Sequence, residues 1–107
     1  MPRDAGPARH ERPVIDEAAL IAARDAEKLL ASAREYGSER WVGFLADIPE
    51  RLRDAPILDL RVVALRARSA YGPRDSIRDA LPAELTELFL ADLDRLLRVL
   101  AKDALAR

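Results

Sequence analysis

The sequence predicts an all-α fold: a single-domain bundle of four main helices plus a short helical turn, behind a disordered N-terminal tail. Apolar residues recur at helical spacing in four long segments. Gly37, Pro56, the Gly72-Pro73 pair and Pro82 fall between those segments, where residues that stop or start helices belong. One segment, 57–71, is apolar on two separate sides, as a helix inside a bundle would be.

Residues 1–13, MPRDAGPARHERP, hold three prolines, a glycine and alternating charges. Such a stretch buries too little apolar surface to offset its ordering entropy, so a loose tail is expected, with the helical domain over 14–107. The first helix is expected from Glu17 to about Tyr36, with Asp16 as N-cap, Ile15 packing on Leu20, and Gly37 supplying the left-handed residue that ends it. Ala19, Ala22, Ala23, Ala26, Leu29, Leu30, Ala33 and Tyr36 share an arc of roughly 140°, the pattern of an amphipathic surface helix. Its small side chains predict a close approach to a neighbour.

The second helix follows Ser38. Trp41, Phe44, Leu45, Ile48 and Leu52 share one face, and Pro49 inside that pattern predicts a kink or a fresh helix near Asp47. Asp47 and Arg51 stand one turn apart, spaced for a surface pair. Pro56 suits the first turn of the third helix.

The third helix, 57–71, is read as the central rod. One side carries Ile57, Leu60, Val63, Ala64, Ala67, Ala70 and Tyr71; the other carries Leu58, Val62 and Leu65. Between them run two polar stripes, Arg61 with Arg68 and Asp59 with Arg66. A short turn-helix over 76–81 has Ser76 as N-cap, with Asp79 placed to imitate a capping box. The last helix, 82–105, has an apolar arc of roughly 200°, enough for two neighbours or a second chain.

Composition narrows function. The net charge of −1 and the pI of about 5.8 provide no bulk attraction for nucleic acid or an anionic membrane. With no cysteine, thiol catalysis and thiolate metal sites are excluded. No apolar run is long enough to span a bilayer and no signal-peptide core is visible, so a cytoplasmic protein is expected. No phosphate loop is present, Ser76 has no evident base, and the single histidine, His10, lies in the tail. The expectation is a protein that is not an enzyme, with no catalytic residue, no metal and no cofactor.

Two clusters stand out. Tyr71, Arg74, Asp75, Arg78 and Asp79 form the densest polar constellation and are the candidate partner-binding residues. Asp92 lies inside the apolar arc of the last helix, so it must be paired, hydrogen-bonded or protonated; Arg61 or Arg68 is the expected partner in a buried ion pair. On that reading, Asp92→Asn lowers thermal stability. From Arg61 to Arg78 there are five arginines against one acid, Asp75, which supports an alternative, a nucleic-acid-contacting regulator using Arg61, Arg66, Arg68, Arg74 and Arg78.

Arg40-Trp41-x-x-Phe44-Leu45, followed by Ser69-Ala70-Tyr71-Gly72-Pro73-Arg74-Asp75-Ser76-Ile77-Arg78-Asp79-Ala80-Leu81, resembles a family of short bacterial all-helical proteins classed only as a domain of unknown function. The likeness spans about residues 20–105, and Tyr71, Gly72, Ser76, Ile77, Asp79 and Leu81 carry it. Pro73-Arg74-Asp75 stands where that family has a more glycine-rich, methionine-containing turn, and Arg78 where asparagine is common. The resemblance implies no activity or cofactor. The leading functional expectation is a non-catalytic interaction protein, self-associating as a homo-oligomer or binding one protein partner through the last helix and the 71–79 turn. An immunity- or antitoxin-like neutraliser is its most concrete version, by analogy with other small helical bundles.

Overall fold

A computed structural model describes residues 6–106, and among them all regular structure is helical. Six α-helices follow in order: α1 Pro13–Glu35, α2 Glu39–Leu45, α3 Ile48–Asp54, α4 Ile57–Arg68, α5 Ile77–Ala80 and α6 Ala83–Ala106. Two 3₁₀ turns, Arg9–Glu11 and Ser69–Tyr71, flank α1 and extend α4.

The breaks fall where backbone chemistry requires them. Pro49 has no N–H to give to a continuing helix, so the apolar run 41–52 divides into α2 and a fresh α3, with Asp47 at its N-cap. The side chain of Asp47 pairs with Arg51 Nε at 3.0 Å. Gly37 ends α1 at φ +68, a conformation that a side chain disfavours, and its N–H donates to the Arg34 carbonyl. Ser76 caps α5 by accepting from the Arg78 N–H at 3.2 Å; Asp79 adds no reciprocal bond.

The start of α1 differs from the sequence expectation. Pro13, not Glu17, opens the helix, because proline at the first helical position loses no hydrogen bond. Asp16 is therefore not the N-cap; it lies in the first turn, held by Arg9 Nε at 2.7 Å. Leu20 is exposed, so no staple forms with Ile15.

The expected loose tail is also corrected over residues 6–13. Arg9 Nη1 donates to the carbonyls of Leu52 and Ala55 at 3.1 and 2.8 Å. These oxygens lie at the C-terminal end of α3, where carbonyls lack helical partners and the helix dipole favours a cation. Arg12 Nε reaches Asp103 near the end of α6 at 2.9 Å. Charge-assisted bonds to distant elements offset the ordering cost that the composition alone suggested would win. Residues 1–5 of that expectation lie outside the described residues.

The larger correction concerns which helix is central. α1 packs against α2, α3 and α6, whereas α4 has α3 and α6 as its main neighbours. α1 buries Ile15, Ala18, Ala19, Ala22, Ala23, Asp25, Ala26, Leu29, Leu30, Ser32 and Ala33, an arc of roughly 180° on a helical wheel. Its alanines let flanking backbones approach closely. α6 runs antiparallel beside it, since Arg12 meets Asp103 and Asp25 meets Asp92. Phe89, Leu93 and Leu96 of α6 are fully covered in the same core. α4 buries only one of its apolar sides, through Ile57, Leu60, Val63, Ala64 and Ala67. Its other side, Leu58, Val62 and Leu65, faces outward.

This arrangement predicts unequal responses at three positions on α1 and the two sides of α4. Ala22→Leu overfills the tight face of α1 and is expected to cost about 1–3 kcal/mol. Leu60→Ala removes a fully buried side chain and is expected to cost about 2–5 kcal/mol. Val62→Ala on the outer face should stay within about 0.5 kcal/mol. Urea unfolding of the three variants checks the ranking.

Candidate interaction surface

Leu58, Val62 and Leu65 follow one another at steps of four and three, so they form a single stripe on α4; they are 48%, 69% and 42% exposed. Helical geometry puts Asp59 and Arg66 along one flank and Arg61 and Arg68 along the other. Gly6 lies over the start of the stripe, so close that a Cβ there would meet Leu58 Cγ at 2.7 Å.

The flanking charges are unequally engaged. Arg68 Nε is 2.6 Å from Asp94 Oδ1 on α6, and Arg66 Nη1 is 3.5 Å from Asp47 Oδ2. Asp59 and Arg61 are exposed and unpaired among the described residues. Arg78 is likewise occupied, with Nε 2.9 Å from Glu87 Oε1. Three of the five arginines proposed for nucleic acid thus stand beside carboxylates, which weakens the field that a phosphate would meet.

The 71–79 turn divides into internal and external halves. Tyr71 is half-buried and its hydroxyl donates to the Thr86 carbonyl at 2.6 Å. Burial and nearby Glu87 push its phenol well above the ordinary range. Ser76, Ile77 and Leu81 are buried, which anchors the turn to α6. The Arg78 guanidinium lies 5.5 Å over the Tyr71 ring. Arg74, Asp75 and Asp79 are exposed. Asp75 sits at φ +51, a left-handed conformation that aspartate tolerates better than most residues, and its carboxylate is 3.8 Å from Arg40. Arg40 in turn covers Trp41 at 4.7 Å, and Trp41 meets Phe44 edge-on at 5.5 Å. The two motif segments, distant in sequence, therefore touch through Arg40 and Asp75.

The expected buried ion pair is not formed. Arg61 is exposed, Arg68 binds Asp94, and Asp92 instead faces Asp25 of α1. The cause is helical phase: Asp92 and Asp94 lie about 200° apart around α6, and it is the Asp94 side that looks toward α4. Asp25, only 2% exposed, lies just outside the apolar arc that the sequence marks on α1. A signal was available, because Ala18, Ala22 and Leu29 surround it at helical spacing.

Among the described residues no group of three His, Asp or Glu side chains could hold a metal ion, and no helix is long and apolar enough to cross a membrane. His10 is exposed on the first 3₁₀ turn. No family model matches the chain, and no curated protein or solved structure matches it either. The likeness of the Arg40–Leu45 and Ser69–Leu81 segments to the helical family above stays a likeness of motif.

If the Tyr71 hydroxyl anchors the turn, Tyr71→Phe should lower stability by about 0.5–1.5 kcal/mol by leaving the Thr86 carbonyl without that donor. Thermal unfolding measures the loss, and amide exchange should rise first across 72–81. Unchanged stability would place the hydroxyl in water.

Proposed function

We propose that this chain is a non-catalytic helical interaction protein that pairs with a second copy of itself through the outer face of α4. The observation that supports this reading is the exposed stripe Leu58–Val62–Leu65, touched by Gly6 only at its Leu58 end among the described residues, with its flanking charges. Three large apolar side chains exposed together form a patch on the order of a few hundred Å², the size at which such patches on monomers are often functional.

The flanks favour a copy as the occupant. In an antiparallel pairing about a two-fold axis near Val62, equal flanks meet, and Asp59 of one protomer falls opposite Arg66 of the other. The reciprocal contact follows by symmetry, so two opposite-charge pairs bracket the apolar stripe. Arg61 lies on the second flank close to the axis, where it meets its own copy. That like-charge contact keeps the association weak and reversible. The 71–79 turn lies at the C-terminal end of α4, so Arg74, Asp75 and Asp79 would border the interface rather than form its centre.

Sedimentation equilibrium should show a concentration-dependent monomer–dimer exchange. Val62→Lys should abolish it while leaving the fold intact. Asp59→Arg should weaken pairing, and adding Arg66→Asp should restore it in the double variant. A chain that stays monomeric at all accessible concentrations would overturn self-pairing. Nucleic-acid binding that falls steeply with salt would favour the arginine-based alternative instead.

A further inference from the structure

α1 and α6 meet along an alanine-lined seam with leucines around it, and in that seam two carboxyl groups face each other, Asp25 from α1 and Asp92 from α6. Asp25 is 2% exposed, and neither of its carboxylate oxygens receives a hydrogen-bond donor; Asp92 Oδ2 is buried without one as well. Buried polar atoms are ordinarily satisfied, so three orphaned oxygens in one place call for a missing hydrogen. The cations nearby do not supply it. Arg24 Nε and Lys28 Nζ each stand 3.6 Å from Asp25 Oδ1, with side chains mostly in solvent. Arg95 on α6 acts on Asp92 from a distance, and Tyr71, which also feels Asp92, has its hydroxyl proton committed to Thr86.

We propose that Asp25 and Asp92 hold one proton between them, and that this shared-proton site makes the packing of α1 on α6 sensitive to pH. Two carboxylates facing each other across a seam that buries Asp25 and half-buries Asp92 cannot both stay ionised at low cost. A single proton converts the repulsion into a short O–H···O⁻ hydrogen bond and satisfies the orphaned oxygens. Loss of that proton leaves two like charges across the seam, opposed by the partly solvated Arg24, Lys28 and Arg95.

The direction of the response follows from the Asp92 carboxyl. Burial first, and then the contact with Asp25, raise it from its usual 3.8 to about 7. The folded chain therefore holds a proton that the unfolded chain has already released between those two values. Stability from the pair is complete below about pH 4, declines as pH rises, and is lost above about pH 7. This is opposite to an Asp held by an arginine, so it reverses the expectation that Asp92→Asn is destabilising. Asparagine at this position resembles the protonated acid and can donate permanently to Asp25.

The test compares thermal unfolding of the wild-type chain and Asp92→Asn from pH 4 to pH 8.5. The variant should gain on the wild type by up to about tenfold in folding equilibrium per pH unit inside the window, and the gap should then stay constant. Asp25→Asn should remove the same pH dependence from the other side of the seam. Parallel curves for the wild type and both variants would overturn the proposal. Carbon-13 carboxyl shifts of the wild-type chain read the site without any substitution. One of the two carboxyls titrating near neutrality is expected; both finishing below pH 5 would refute the shared proton.

Discussion

The antiparallel packing of α1 on α6 is the constraint on which the other parts of the molecule depend. Two helices of 23 and 24 residues lie side by side, each on the order of 35 Å long, and small residues on α1 bring them close. Ala19, Ala22 and Ala26 are fully covered, so the seam leaves little room for larger side chains. The same closeness sets Asp25 against Asp92, burying the first and half-burying the second. At one end of the seam Arg12 ties to Asp103, which fixes the relative slide of the two helices.

Everything else is arranged around that pair. α2 and α3 close the second side of α1, with Trp41, Leu45, Ile48 and Leu52 buried beneath them. Arg9 clips the end of α3 to the start of α1, and Arg53 of α3 pairs with Glu27 of α1. α4 leans on α3 and α6 and, being held from only one side, keeps an apolar face in solvent. The exposed stripe is therefore a consequence of the topology: there is no further helix to place there among the described residues. Covering it by a second copy would complete the burial that the α4 sequence provides for.

Surface arginines serve mainly as connectors between elements. Arg68 joins α4 to α6, Arg78 joins α5 to α6, and Arg40 reaches the loop before α5. These pairs are exposed and individually weak. Their contribution lies more in register than in stability, and they leave fewer free cations than the composition suggests.

How much was legible divides along a physical line. The sequence by itself determined the helical class and the helix breaks, because periodicity, Pro49, Pro56, Gly37 and the Ser76 cap act within a few residues of backbone. It also made Asp92 conspicuous, since a carboxyl among leucines is visible without coordinates. Only the tertiary structure decided which helix is central, because an apolar side shows that burial is possible and not that a neighbour exists. α4 looked like an interior rod and is half-exposed, whereas alanine-rich α1 looked like a rim helix and is the hub. The partner of Asp92 was likewise a matter of helical phase: a difference of two residues turns the side chain from α4 toward α1, and so from an arginine to another acid.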